Sequence, residues 1–511
     1  MNRVTGCQNH LFLLHFLHMQ ELHQALNLWP VVYIARDIER ALSLPITTKG
    51  YWIITNSSPL AKELTRKHKN ILIINAKEPL DTHELLEHPR TIALLKKLNA
   101  RPLPTIPSAE ERGRDSSSPL QRRGQEERSH SLINILVFKN TLRIEKICKE
   151  HSWRLLNPRA ELANRVEQKL AQLEWLGPLK KYLPPHQVMK CKELTWPNQT
   201  SLPVLSPSSE GLRSAEARRN RPSHLQRRGQ GEVSPFIVQF NHAHTGTGTI
   251  LVESQKQILE LQKKFPNREV RVTEFIKGPV FTNNNVVWGK QVLCGNISYQ
   301  ITGLAPFTFS PFATVGNDWA LATKLLSNKQ SKQIGHMATD IGKRLAKDGW
   351  KGLFGIDVIM HEKTKKIYLL EINARQPAST TFESQLQRSK QKIVNSKQLT
   401  TFEAHLASLL GLLPTPFPLL PITDGAQIVQ RVANPSPREG REGLANNHQH
   451  PPTPLRGGIK KLQNSGLNVI EYPNKNPGED LLRIQSNQGI MKNEKEFNEI
   501  GKKVIKYLDY K

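Results

Sequence analysis

Three oxygen-bearing side chains, Asp357, Glu371 and Asn373, interrupt an otherwise apolar stretch of this 511-residue chain. Two carboxylates and an amide among Leu, Ile, Val and Phe are costly to take out of water unless something compensates them. One compensation is an ion pair with Arg375 or nearby lysines. The other is a hard divalent cation such as Mg²⁺, held by one or two carboxylates and completed by water and phosphate oxygens. The elements that must position these groups read as two strands, Leu353 to Met360 and Lys366 to Asn373, joined by the polar hairpin His361 to Lys365. A strand alternates its faces, so Glu371 and Asn373 share one side, and an in-register hairpin brings Asp357 opposite them.

Upstream, Phe236 to Val252 reads as strand, turn and strand, with Thr245, Gly246, Thr247, Gly248 and Thr249 in the turn. Glycines there let backbone N–H groups approach an anion, and threonine hydroxyls add donors. An ordinary hairpin has the same composition, and the stretch lacks the Gly-Lys-Ser/Thr of a P-loop. Glu269 to Phe281 is strand-like. From Asn157 to Leu176 the spacing predicts one amphipathic helix, with Leu162, Val166, Leu170 and Leu173 on its apolar side and Glu167, Lys169 and Glu174 on polar ones. Asp318 or Asn317 is placed to cap a helix that begins at Trp319.

Asp357 followed by Glu371-x-Asn373-x-Arg375 at the end of the next strand resembles the metal-binding signature of the ATP-grasp superfamily, in its carboxylate–amine ligase type. The resemblance covers roughly Asn157 to Leu412. It implies ATP and Mg²⁺ as cofactors, with two ions expected and Mn²⁺ able to substitute. Asp357 and Glu371 would hold one ion, Glu371 and Asn373 a second, and Arg375 would contact the transferred phosphate or the acyl substrate. Thr245 to Thr249 fall where the family places its phosphate-covering loop. Thr273, Glu274, Phe275 and Ile276 fall at the hinge strand that meets adenine, and Lys169 at the helix that enters the fold. Two departures stand out. Gln239 occupies the strand position where the family commonly carries a phosphate-contacting Lys, and Val280 stands near the usual ribose-binding Glu. The implied chemistry is attack of a carboxylate on the γ-phosphate of ATP, then capture of the acylphosphate by an amine or another nucleophile. The alternative is a catalytically degenerate nucleotide-binding protein.

The fold class implied is α/β with α+β lobes: an ATP-grasp fold behind an N-terminal parallel α/β domain, followed by a small C-terminal lobe. Val31 to Ala35, Tyr51 to Thr55, Ile71 to Asn75 and Leu132 to Phe138 alternate with helical patterns such as Pro59 to Lys67, Thr82 to Asn99 and Leu142 to His151, which is the spacing of a parallel sheet. The boundaries read as 1–150, 151–412 and 413–511, the last holding strand-like Ala426 to Val432 and Val469 to Tyr472 and a basic helix from Glu494 to Leu508. Three polar segments, 108–131, 206–234 and 434–458, lack any periodicity and cannot bury enough apolar surface to order themselves. The first two share Leu-Gln-Arg-Arg-Gly-Gln, at Leu120 to Gln125 and Leu225 to Gln230. They resemble the in-frame palindromic-element peptides of some intracellular bacteria, so functional residues are expected elsewhere.

The formal charge of +28 raises nucleic acid as a partner. The arginine pairs Arg122-Arg123, Arg218-Arg219 and Arg227-Arg228 lie in the polar segments without interleaved aromatics, so no specific nucleic-acid site is expected and small-molecule carboxylate and nucleophile substrates are. Four scattered cysteines, with no C-x-x-C, point to a reducing compartment without disulfides or zinc. His10, His15, His18 and His23 do not share a helical face and read as ordinary helix residues. Leu11 to Leu17 is too short and broken for a signal or a span, and Pro414, Pro416, Pro418 and Pro421 interrupt the apolar run after His405. A cytoplasmic protein with no membrane partner is expected, and a homodimer is compatible with the sequence.

Overall fold

The computed structural model describes residues 21–100, 133–196, 235–241, 248–308, 310–394, 398–432 and 456–508. The first two polar segments therefore lie outside the described residues, as do Thr245, Gly246 and Thr247. Contacts divide the chain into two compact units, 1–167 with 278–511, and 168–277.

The larger unit begins with a parallel sheet of β1 (Val31–Ala35), β2 (Tyr51–Asn56), β3 (Ile71–Ile74), β4 (Asn134–Val137) and β5 (Arg154–Leu155), in the order β3-β2-β1-β4-β5. Every residue of β1 is buried, as a central parallel strand requires. One face packs Val32, Ile34, Ile54 and Ile135 against helices α2 (Thr82–Glu87), α3 (Pro89–Asn99) and α4 (Leu142–Glu150). The helix α1 (Pro59–Lys67) starts where Ser58 Oγ accepts the Ala61 N–H, with Pro59 at the first helical position. The single helix predicted from Thr82 to Asn99 is two. Pro89 lacks an N–H and forces His88 into an extended conformation, ψ 135°, which ends α2 and opens α3. Likewise the helix predicted from Asn157 to Leu176 is α5 (Ala160–Glu167) and, in the smaller unit, α6 (Ala171–Leu176). At the break, the Leu170 N–H is taken by Asn241 Oδ1 at 3.0 Å instead of continuing the helical ladder.

The smaller unit is an antiparallel sheet of β6 (His186–Lys190), β7 (Phe236–Phe240), β8 (Thr249–Val252) and β9 (Glu269–Glu274), ordered β6-β9-β7-β8. Helix α7 (Gln255–Lys264), opened by a Ser254/Gln257 capping box, buries Ile258 and Leu261 against Val238, Val252 and Val270.

The rest of the larger unit is built on an antiparallel sheet of β10 (Val280–Trp288), β11 (Gln291–Thr302), β12 (Thr314–Asp318), β13 (Gly352–Met360), β14 (Ile367–Asn373), β15 (Ala426–Arg431), β16 (Asn468–Glu471) and β17 (Asp480–Ser486). Its order is β14-β13-β10-β11-β12-β15-β17-β16. After β12 come α8 (Trp319–Leu325) and α9 (Asn328–Lys347), and after β14 come α10 (Thr380–Val394) and α11 (Thr401–Leu410). Val286, Trp288, Leu293 and Leu353 join α11, all ten of whose residues are buried, in one core with Val31, Tyr33 and Tyr51 of the parallel sheet. Buried polar side chains also line the sheet in two hydrogen-bonded groups, Thr282 with Gln300 and Ser298 with Asn317 and Gln427.

The C-terminal strands thus extend this same sheet. Helix α12 (Arg456–Asn464) begins inside the third polar segment, so the last residues of that segment are helical. The terminal helix α13 (Glu499–Leu508) starts five residues later than the pattern from Glu494 suggests. Asn498 Oδ1 accepts the N–H groups of Ile500 and Gly501, which fixes the start. Among the described residues no helix is long and apolar enough to cross a membrane.

Candidate functional site

Strands β13 and β14 pair antiparallel with Asp357 opposite Glu371 and Gly355 opposite Asn373. A bulge follows, since Val358 pairs with Leu369 and leaves Leu370 as the extra residue. Such an insertion re-aims side chains. Asn373 Nδ2 donates to Asp357 Oδ2 at 3.1 Å, so the three groups singled out by sequence converge at the end of the hairpin. Gly355 is required there: a Cβ would come within 2.8 Å of Pro377 Cγ, and the turn after β14 could not fold back over the sheet.

Burial, first, and the negative charge of Glu371, second, push the Asp357 carboxyl up to about 6, against the donors Thr282 and Asn373 and the nearby Arg375 that lower it. Two carboxylates facing each other across a ladder in a partly buried site leave negative charge that a cation would compensate. Among the described residues no group of three or more His, Cys, Asp or Glu side chains could hold a metal ion. Two carboxylates and an amide oxygen are a sparse, hard donor set, which suits a cation that draws its remaining ligands from water and a bound phosphate. Asp357, Glu371 and Asn373 therefore fit a hard divalent cation such as Mg²⁺.

Arg375 also pairs with a helix residue. Its Nε lies 3.3 Å from Glu167 Oε1, while Glu167 Oε2 accepts from Lys139 Nζ at 2.7 Å. Glu167, in the last turn of α5, thus bridges the residue two beyond β4 and the residue two beyond Asn373, an arrangement that spacing along the chain gave no sign of. The next residue, Gln376, accepts from the Tyr33 hydroxyl at 2.9 Å and donates to the Arg40 carbonyl at 3.1 Å. The turn after β14 is therefore docked at the carboxyl end of β1, which β2 and β4 flank on opposite sides. In open parallel sheets ligands sit at such a switch point.

In the smaller unit, Gln239 is not simply an uncharged residue in place of a cation. Its cross-strand partner is Arg271, whose Nε and Nη2 donate to Gln239 Oε1 at 2.8 and 2.6 Å, and whose Nη1 donates to Gln172 Oε1 at 3.3 Å. Arg271 is 3% exposed, so a buried guanidinium lies directly against the position read as lacking charge. Register between β7 and β9 is what reveals it. Lys169 lies in the break between α5 and α6, partly buried, and not on a helix. Gly248 accepts the Phe240 N–H, and Thr249 opens β8 opposite Gln239. Thr273 and Glu274 close β9, and Phe275 and Ile276 follow it as non-strand chain, with Ile276 buried.

A site residue that sequence reading missed is Thr282 of β10. It is the cross-strand partner of Asp357 on the side away from Glu371 and donates to Asp357 Oδ1 at 2.8 Å. The string Thr-Asn-Asn-Asn before Val-Val-Trp was the available signal, four polar residues entering a buried strand.

Residues 213–379 match the family model of the ATP-grasp domain. No curated protein matches the chain by sequence. The fold is similar to that of N5-carboxyaminoimidazole synthase from Aspergillus clavatus, solved with ADP and an aminoimidazole ribonucleotide, at TM-score 0.53 and 14% identity over 95% of this chain and 99% of that one. It is also similar to the Staphylococcus aureus N5-carboxyaminoimidazole synthetase solved with ADP, at 0.50 and 10% identity over 94% and 97%, and to a Campylobacter jejuni biotin carboxylase–ATP complex, at 0.50 and 12% identity over 90% and 88%. With that match and that likeness of architecture, the chain carries an ATP-grasp domain within an ATP-grasp fold.

Proposed function

We propose that this protein binds ATP with a divalent metal ion and joins a small-molecule carboxylate to an amine or related nucleophile. The observation that carries this reading is the convergence of Asp357, Glu371 and Asn373 across the β13–β14 ladder, with Arg375 two residues beyond. The ligand-bound state of the similar enzymes, two with ADP and one with an ATP ligand, supports it. A carboxylate oxygen of the acceptor attacks the γ-phosphorus of ATP and ADP leaves. The nucleophile then attacks the acyl carbon, phosphate leaves, and the amine gives up a proton. Bound metal would neutralise charge on the phosphates. This chain's residues have little covalent work to do: Asp357, Glu371 and Asn373 hold charge and geometry, and Arg375 meets the transferred phosphoryl or the acceptor. Thr273 to Ile276 are assigned to the base, Thr245 to Thr249 to the phosphates, and Lys169 and Gln239 to the same task.

Equilibrium binding of ATP at fixed Mg²⁺ tests the site. Glu371→Ala should weaken Mg²⁺-dependent binding about tenfold or more while the unfolding temperature is kept. Binding untouched by that change removes the assignment.

A second reading, a nucleotide-binding protein without ligase activity, is favoured by the uncharged Gln239 and by Val280 at positions where the resemblance leads one to expect a phosphate-contacting Lys and a ribose-binding Glu. ADP release stimulated by members of a carboxylate and amine library selects the ligase. ATP binding with no stimulated release selects the second reading.

A further inference from the structure

Asp357 is held by more than its neighbours on the hairpin. Thr282 Oγ1 donates to Asp357 Oδ1 at 2.8 Å, and the same Oγ1 accepts from Gln300 Nε2 at 2.5 Å. Gln300 Oε1 in turn accepts from the Thr314 hydroxyl at 3.0 Å. Thr314, Gln300, Thr282 and Asp357 stand on β12, β11, β10 and β13, four adjacent strands of one sheet. Thr282 and Gln300 are 6% and 8% exposed, so water is a poor substitute for these partners.

The direction of the series follows from hydrogen-bonding capacity. An ionised carboxylate only accepts, so Thr282 must turn its single hydroxyl hydrogen toward Asp357. Its oxygen is then an acceptor, which requires the amide nitrogen of Gln300 rather than the amide oxygen on that side. With its oxygen turned the other way, Gln300 needs a donor, and the Thr314 hydroxyl supplies one. Each member fixes the orientation of the next. Asn373 meanwhile occupies one lone pair of Oδ2. Each oxygen of Asp357 thus has one protein donor in a set direction, and the remaining lone pairs share a set direction too.

We infer that Thr282 and Gln300 are positioning residues that hold Asp357 in the orientation needed to ligate the metal ion. This rests on the metal reading given above and extends it to two strands that carry no ligand themselves. Removing the hydroxyl of Thr282 frees the Asp357 side chain to turn about its own bond and leaves Gln300 Nε2 without an acceptor. Partners of this kind are worth about 10–100-fold in metal affinity.

Binding of Mn²⁺ to the full-length protein in the presence of ADP, followed by electron paramagnetic resonance of free Mn²⁺, tests the inference. Thr282→Val and Gln300→Leu should each weaken Mn²⁺ binding about tenfold, and Thr282→Ser, which keeps the hydroxyl, should bind as the unsubstituted protein does. Equal Mn²⁺ affinity of Thr282→Val and the unsubstituted protein overturns the inference, as does a Thr282→Ser variant as weak as Thr282→Val, since that pattern belongs to the methyl group. If Thr282→Val does not fold, Gln300→Leu decides alone by the same criterion. Mn²⁺ binding that is absent from the unsubstituted protein, or present and unaffected by Asp357→Ala, removes the metal reading itself and this role with it.

Discussion

At Asp357 the cost of burying a carboxylate beside a second one can be read in one side chain. Its carboxyl is raised to about 6 by burial and by Glu371, from an ordinary value near 4. A raised folded-state value means that Asp357 contributes to stability fully below about pH 4, and that the contribution is lost as pH rises through about 6. A bound cation acts in the opposite sense, because it favours the ionised form. The rise in unfolding temperature produced by Mg²⁺ should therefore be small near pH 5, grow through pH 6 and level off above about pH 7. Equal shifts at both ends of that range would count against Asp357 as a ligand. Sequence alone named Asp357, Glu371 and Asn373, because polar residues inside apolar strands are conspicuous, and the ATP-grasp resemblance added Arg375. It did not reveal Thr282, Glu167, Lys139 or Arg271, because each reaches its partner across a strand or helix pairing that no local pattern encodes.

At the scale of elements, the cap at Asp318 shows one residue serving two distant segments. Its Oδ1 accepts the Leu321 N–H at 2.7 Å and starts α8, as the sequence suggests. Its Oδ2 accepts the N–H groups of Ile490 and Met491 at 2.8 and 2.9 Å, which ties the loop after β17 to β12. Asp318→Ala removes a helix cap and leaves two buried N–H groups without their acceptor. The expected loss is about 3 kcal/mol or more by chemical denaturation. A loss near 1 kcal/mol would mean that only the cap matters. Strong local signals, such as Ser58-Pro59 before α1, set element starts correctly. Weaker ones failed where a single residue overrode periodicity, as Pro89 does between α2 and α3, or where a tertiary bond competed with the helix, as Asn241 does at Leu170.

For the whole molecule, the two segments that share Leu-Gln-Arg-Arg-Gly-Gln were read from composition as additions to a fold complete without them. Segment 206–234 separates β6 from β7, which flank the same strand β9. Replacing 206–234 by a short Gly/Ser linker should change the unfolding free energy by no more than about 1 kcal/mol, because closure entropy varies slowly with loop length. Collapse of the protein on that deletion would show that the segment belongs to the fold. What the sequence determined by itself was the alternating parallel sheet, the hairpin that carries Asp357, Glu371 and Asn373, and the ATP-grasp resemblance, because hydrophobic period, turn chemistry and interrupted strands are local properties. Only the tertiary structure decided that β15 and β17 extend the sheet of the hairpin, that Glu167 meets both Arg375 and Lys139, that Arg271 lies against Gln239, and that Thr282 donates to Asp357. Strand order and register bring together residues tens to hundreds of positions apart, and one sequence carries no record of which of its strands are neighbours.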